Sequence, residues 1–343
     1  MKDLCRAALI ACVILYPAFA TAASSDPLFQ DDSTLAVVIT APLTTLIRER
    51  PKDRYLPGTF SFREGDGTAV ELDLEVRARG NFRLRNCDFP PLYLKFSAAQ
   101  VGGTLLENQE RLKLVAPCKD SARYQQSVLR EYLAYRILNA LTDLSFRVRL
   151  LQVTWVDSDE RRGRMVRNAF LIEHDDRLAE RLGMKALNFE RTEVSAIRPD
   201  HLNLTELFQY LIGNTDFSPN LGSDGECCHN YAMFGNGGEL MLAIPYDFDM
   251  AGFVYAPYAE PDPDLGIENV RQRLYLGHCV NNGFVDASIA RFQEVRDTLY
   301  ALLAGQQDLE PAVRQSIASY MDEFYVVIEN PEAVEQQLIG KCI

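Results

Sequence analysis

An α+β chain in two lobes is predicted, a β-rich half with one inserted helix followed by a mostly helical half. Three observations predict it. From Thr34 to Leu150 short apolar runs alternate with Gly and Pro turns; one long helical period interrupts them at 127–141; beyond Asp175 helical periodicity takes over. The 343 residues are 47% apolar, enough for a sizeable buried core. The boundaries that follow are 1–23, 24–174 and 175–343.

Residues 1–23 carry Lys2 and Arg6, an apolar run from Ala7 to Tyr16, Pro17, and the small-residue end Ala20, Thr21, Ala22, Ala23. That is the layout of a secretory signal peptide, with an apolar core too short to span a bilayer. It predicts an exported bacterial protein, periplasmic or secreted, with no transmembrane segment in the mature chain. Export leaves six cysteines: Cys87, Cys118, Cys227, Cys228, Cys279 and Cys342. An even number in an oxidising compartment reads as disulfides. Cys87 and Cys118 flank a pair of strands and form the local pair. The other four staple the C-terminal half, with either Cys227 or Cys228 meeting Cys279 or Cys342. Zinc at Cys227, Cys228, His229, His278 and Cys279 is disfavoured, because adjacent cysteines depart from C-x2-C spacing. The net charge of −13 repels polyanions, so nucleic acid is excluded as a partner and any nucleotide must be held by a few local cations or a metal.

Strands are expected at Leu35–Ile39, Ala69–Arg79, Leu92–Phe96 and Arg111–Val115. The helix Ser127–Leu141 places Leu129, Leu133, Ile137, Leu138 and Leu141 on one face. Strands Arg147–Val156 and Arg164–Glu173 follow, then helices Leu202–Ile212 ending at Gly213, Ala287–Leu303 and Pro311–Ile328. A loop-rich stretch, 214–282, holds one short strand, Leu240–Ile244. Strands, an inserted helix, then a helical lobe is the order of a protein-kinase-like two-lobed fold.

The chemistry-bearing residues cluster in the loops. Asp216 follows a helix end, Asn230 follows His229, and Asp247 and Asp249 follow the short strand. An oxygen-rich set of this kind suits Mg²⁺ while leaving room for water and phosphate. Phosphoryl transfer also needs a lysine on the phosphates and a carboxylate for the acceptor. Lys113, on the strand before the helix carrying Glu131, is the candidate lysine, with Glu131 as its ion-pair partner; Lys95 competes with it. Arg79 and Arg83 flank the turn at Gly80 and reach toward phosphate. Each has a plainer reading: Asp247 and Asp249 as turn formers, Lys113 as a solvent-facing strand residue, and Arg271 to Arg273 as a solvated loop rather than an anion site.

Arg79-Gly80-Asn81, then residues 91–96 (PLYLKF), 129–135 (LREYLAY), 170–173 (FLIE), Asn214-Thr215-Asp216, His229-Asn230 and 245–249 (PYDFD) resemble the ordered motifs of the spore-coat CotH kinase family over about residues 70 to 250. The resemblance implies Asp216 as the catalytic-loop aspartate, Asn230 and Asp247 as Mg²⁺ ligands with Asp249 in support, and Glu131 as partner of the nucleotide lysine. No G-x-G-x-x-G loop and no H-R-D-x4-N sequence occurs, so an ordinary cytosolic protein kinase is excluded. The expected function is an exported ATP–Mg²⁺-binding phosphotransferase acting on an unknown protein or small-molecule hydroxyl. The alternative is an inactive, disulfide-stapled binding protein of the same build.

Overall fold

In the computed structural model, which describes residues 26–222 and 227–343, seven strands close into a barrel. The signal-peptide reading of residues 1–23 lies outside the described residues. In chain order the first half contains β1 (Leu35–Ala41), α1 (Leu43–Glu49), β2 (Leu56–Arg63), β3 (Ala69–Ala78), α2 (Phe82–Asn86), β4 (Leu92–Lys95), α3 (Ala98–Val101), β5 (Arg111–Val115), α4 (Ala122–Leu141), β6 (Val148–Asp157) and β7 (Met165–Glu173). The order around the barrel is β1-β2-β3-β4-β5-β7-β6, and β1 pairs parallel with β6 to close it.

Period-two alternation sorts the strand residues. Val37, Ile39, Phe60, Leu74, Leu94, Leu112, Leu171, Val153 and Trp155 fill the barrel interior. Their neighbours Phe170, Ile172, Val148 and Leu150 turn outward and join a second core with α4 and the helices that follow. α4 is enclosed on nearly every side, packing on β7, α6 and α8.

This corrects the expectation of a protein-kinase-like two-lobed fold. A closed mixed barrel stands where the β-rich lobe of a kinase-like fold was expected. The inserted helix lies outside the barrel, in one core shared with the helical half. Two physical reasons account for the miss. β2 contains Pro57 and Gly58, which read as a turn. Closure depends on parallel pairing of β1 with β6, strands more than a hundred residues apart, which no local pattern announces.

The second half contains α5 (Asp175–Arg181), β8 (Lys185–Leu187), α6 (Pro199–Ile212), β9 (Tyr231–Gly235), β10 (Leu242–Pro245), α7 (Val285–Glu294), α8 (Arg296–Gly305), α9 (Pro311–Ile328) and α10 (Pro331–Gln337). β8, β9 and β10 form a small antiparallel sheet. The single helix expected over 287–303 is two, divided at Val295. Among the described residues no helix is long and apolar enough to cross a membrane.

Among the described residues three disulfides are present, and Cys87–Cys118 is the local pair expected. The remaining pairing differs from the expectation: Cys227 joins Cys228, and Cys279 joins Cys342. The chain end explains the second, because Ile343 exchanges backbone hydrogen bonds with Gly277 and Cys279 and lays Cys342 beside its partner. With every described cysteine oxidised, the zinc set is not assembled. The Cys279–Cys342 bond closes a loop across a separation of 63 residues. The Cys279→Ser/Cys342→Ser double variant is expected to lose about 2–4 kcal/mol of stability in urea denaturation, and an unchanged midpoint would refute a stabilising role.

Candidate functional site

Five separate pieces of chain bring side chains to one cavity of about 820 Å³. The first is the exit of β3, where Arg79 leads into Gly80 at φ +84°, a backbone that only glycine adopts without strain, and α2 then carries Arg83. The second is the outer face of the barrel. On β5, Leu112 and Leu114 point inward, so Lys113 points out, opposite Tyr93 of β4. The third is the junction of β7 and α5, which brings His174, Asp175 and Asp176; Glu131 on α4 stands behind the wall, reached through Arg83. The fourth is the end of α6, where Gly213 terminates the helix and releases Asn214 and Asp216. The fifth is the β9–β10 pair: its register, Tyr231 opposite Pro245, places Asn230 and Asp247 at the same end, where the Tyr246 amide donates to the Asn230 carbonyl. Asn230 and Asp247 both sit in the left-handed region, at φ 55° and 62°. Such backbones cost energy and persist where surrounding structure holds them, which is common at functional sites.

Arg83 organises the acidic side. It is 7% exposed and donates from Nη2 to Glu131 (2.8 Å) and to Asp247 (2.6 Å), and its Nε lies 2.8 Å from an Asp249 oxygen. One cation therefore faces three carboxylates. Burial, with repulsion from Asp249 and Asp247, pushes the Glu131 carboxyl up; burial and Asp247 do the same to Asp249. Burial also opposes the charge on Asp247, but Arg83, then Arg79 and His229, hold its carboxyl below the ordinary range. Asp249 is closed off, its Oδ2 also accepting from the Tyr258 hydroxyl at 2.9 Å. The Asp247 side chain remains 35% exposed.

Asp216 is held from three directions. Its amide donates to the Asn214 side chain (3.1 Å), and Asn214 is itself fixed by Gln209. Its carboxylate meets His229 Nε2 at 2.7 Å and Asn230 Nδ2 at 3.1 Å. The carboxylate is oriented while still open to the cavity, as a group that must meet a substrate hydroxyl has to be.

The two lysine candidates separate. Lys113 is 5% exposed, lines the cavity, and lies over the rings of Phe146 (4.8 Å) and Tyr246 (5.3 Å). Its ion-pair partner is Asp175 at 2.8 Å, not the expected Glu131, whose carboxylate belongs to Arg83. Lys95 stands on the exposed barrel surface, paired with Glu75 at 2.6 Å, and takes no part in the cavity wall. Arg79 lines the cavity over the Tyr93 ring, and its Nε has no hydrogen-bond partner.

Sequence reasoning missed the clamping role of Arg83 and the places of Asp175, His174 and His229. His174 lines the cavity, and burial lowers its pKa to about 4, so it is neutral near pH 7. Among these only His229 carried a usable signal, its position beside Asn230.

Among the described residues, no group of three or more His, Cys, Asp or Glu is arranged to hold a metal ion by itself. Mg²⁺ that arrives with a nucleotide needs less, one or two protein oxygens beside phosphates and water. Asn230 and the exposed Asp247 carboxylate, both oxygen donors on the cavity wall, fit that requirement. Compared with known proteins, the chain matches no protein-family model and no curated protein.

Proposed function

We propose that the cavity binds a nucleoside triphosphate with Mg²⁺ and transfers its terminal phosphoryl group to a hydroxyl acceptor, in an exported protein held by its disulfides. The observation that carries this reading is the gathering of two kinds of group on the lining of one cavity. Arg79 and Lys113 supply cations, and Asp216 with His229 and Asn230 supplies an oriented carboxylate. Phosphoryl transfer requires little else of a protein than positioning and charge. The resemblance of the ordered motifs to those of the CotH kinase family supports the same chemistry. The proposal rests on these residues and not on a fold analogy.

In this mechanism Lys113 and Arg79 hold the phosphate oxygens. Asn230 and Asp247 would hold the ion, which when bound would supply charge neutralisation at the phosphates. Asp216 orients the acceptor hydroxyl and takes its proton as the acceptor oxygen bonds to the terminal phosphorus and the bridging P–O bond breaks, leaving the nucleoside diphosphate.

Melting of the oxidised protein with and without Mg²⁺ and ATP tests the binding step. ATP at one hundred times its dissociation constant adds about 2.7 kcal/mol of stability. Lys113→Met is expected to abolish most of the shift and Lys95→Met to leave it whole. No shift in the wild-type protein, or equal loss in the two variants, would sink the reading.

A further inference from the structure

A second concentration of positive charge lies apart from the cavity, in a chain where acidic residues outnumber basic ones by 48 to 35. Arg130 on α4 is 8% exposed, and among the described residues its guanidinium makes one long hydrogen bond, Nη1 to the Phe253 carbonyl at 3.5 Å. Among the described residues no carboxylate pairs with it. The charged groups around it are arginines instead. Arg271 and Arg123 both lie over the ring of Tyr255, at 5.5 and 5.8 Å, and neither has an ion-pair partner among the described residues. Burial first, then repulsion from Arg271 and Arg123, lowers the Arg130 pKa to about 10, with Tyr255 partly offsetting them.

The chain is built to bring these groups together. A Cβ on Gly252 would lie 2.2 Å from the Val270 carbonyl oxygen and 2.8 Å from Arg271 Cα, so glycine alone lets the Arg271 backbone approach the 252–255 loop. The neighbouring Arg273 is satisfied within the protein, by Glu323 and by the carbonyls of Tyr210 and Leu211. Arg271 is left over Tyr255 and Tyr320.

A nearly buried cation without a counter-charge is among the more costly arrangements a protein can hold, and three cations gathered together compound the cost. An oxyanion supplied from outside removes both penalties, and guanidinium groups match phosphate geometry through paired N–H donors. We infer that Arg123, Arg130 and Arg271 form a binding site for a small phosphate-class oxyanion, distinct from the catalytic cavity. The site sits next to that cavity's scaffold. Arg130 adjoins Glu131 on α4, and the loop that offers Phe253 to Arg130 also carries Asp249 and Tyr258.

Calorimetric titration of the full oxidised chain with inorganic phosphate, and in a parallel arm with glycerol phosphate, tests the inference in low-salt buffer. At least one should bind, with affinity falling tenfold or more in Arg271→Gln. The tighter of the two then names free or esterified phosphate as the source. If neither binds, or if Arg271→Gln binds as wild type does, the site does not exist. Arg130→Met supplies an independent readout. In phosphate-free buffer it should melt higher than wild type, because an unpaired buried charge is gone, and it should no longer respond to phosphate. A lower melting temperature there would show Arg130 to be satisfied within the chain and would overturn the inference.

Discussion

Arg83→Met is expected to destabilise the protein by about 3–5 kcal/mol at neutral pH, and by more at pH 8 than at pH 5. Removing one member of a buried charged cluster strands the others, and here three carboxylates lose their single guanidinium. The pH dependence follows from the direction of each shift. Glu131 and Asp249 have folded pKa values raised above their unfolded ones, so between those values the native state holds more protons and stability falls as pH rises. Without Arg83 the main opposition to burial and mutual repulsion is gone, the raised values climb further, and the fall steepens. Asp247 acts in the opposite sense. Its lowered pKa contributes stability above the ordinary carboxylate range that is lost as pH falls through the folded value, and it depends on Arg83 above all other cations. Urea denaturation of wild type and variant at pH 5 and pH 8 measures all of this. A penalty below about 1 kcal/mol, or one equal at both pH values, would show that Arg83 does not hold the cluster.

Asp216→Asn should lower phosphoryl transfer by a factor of about 10²–10⁴, the usual effect of losing a general base, while leaving the ATP-dependent melting shift in place. The substitution keeps the size of the side chain. The Asn214 contact to the residue 216 amide is untouched, so the loop retains its shape. What disappears is the capacity to take the acceptor's proton. Measuring diphosphate release and the melting shift on the same preparation separates the two roles. Unchanged turnover would remove Asp216 from the chemistry. A melting shift without turnover in the wild-type protein would instead favour the binding-protein alternative.

The sequence made some of this legible and hid the rest for identifiable reasons. α9 was readable to the residue, because Pro311 opens it and apolar spacing runs unbroken to Ile328. Asp216 and Asp247 were readable because each follows a clear helix or strand end, Asn230 because it stands beside His229 in the same loop-rich stretch, and the structure brings all three to one cavity. Arg83 was noticed only as a group able to reach phosphate. In the run Phe82 to Asn86 nothing in the residue order distinguishes a buried clamp from a solvated turn, and the distinction depends on carboxylates 48 and 164 residues away. The partner of Lys113 was misjudged because spacing along the chain favoured Glu131. Asp175 opens α5 just past the end of β7, and the antiparallel register of β5 with β7 is what delivers it. The two-lobed kinase-like expectation failed because Pro57 and Gly58 hid β2 and because closure rests on the pairing of β1 with β6, which residue patterns do not encode locally.

Because β1 completes its hydrogen bonding on β6, the barrel offers no free strand margin onto which a second copy could add itself. The remaining margins belong to β8 and β10, three and four residues long, too brief to template an extended stack. Resistance to edge-to-edge aggregation is therefore a property of the topology itself.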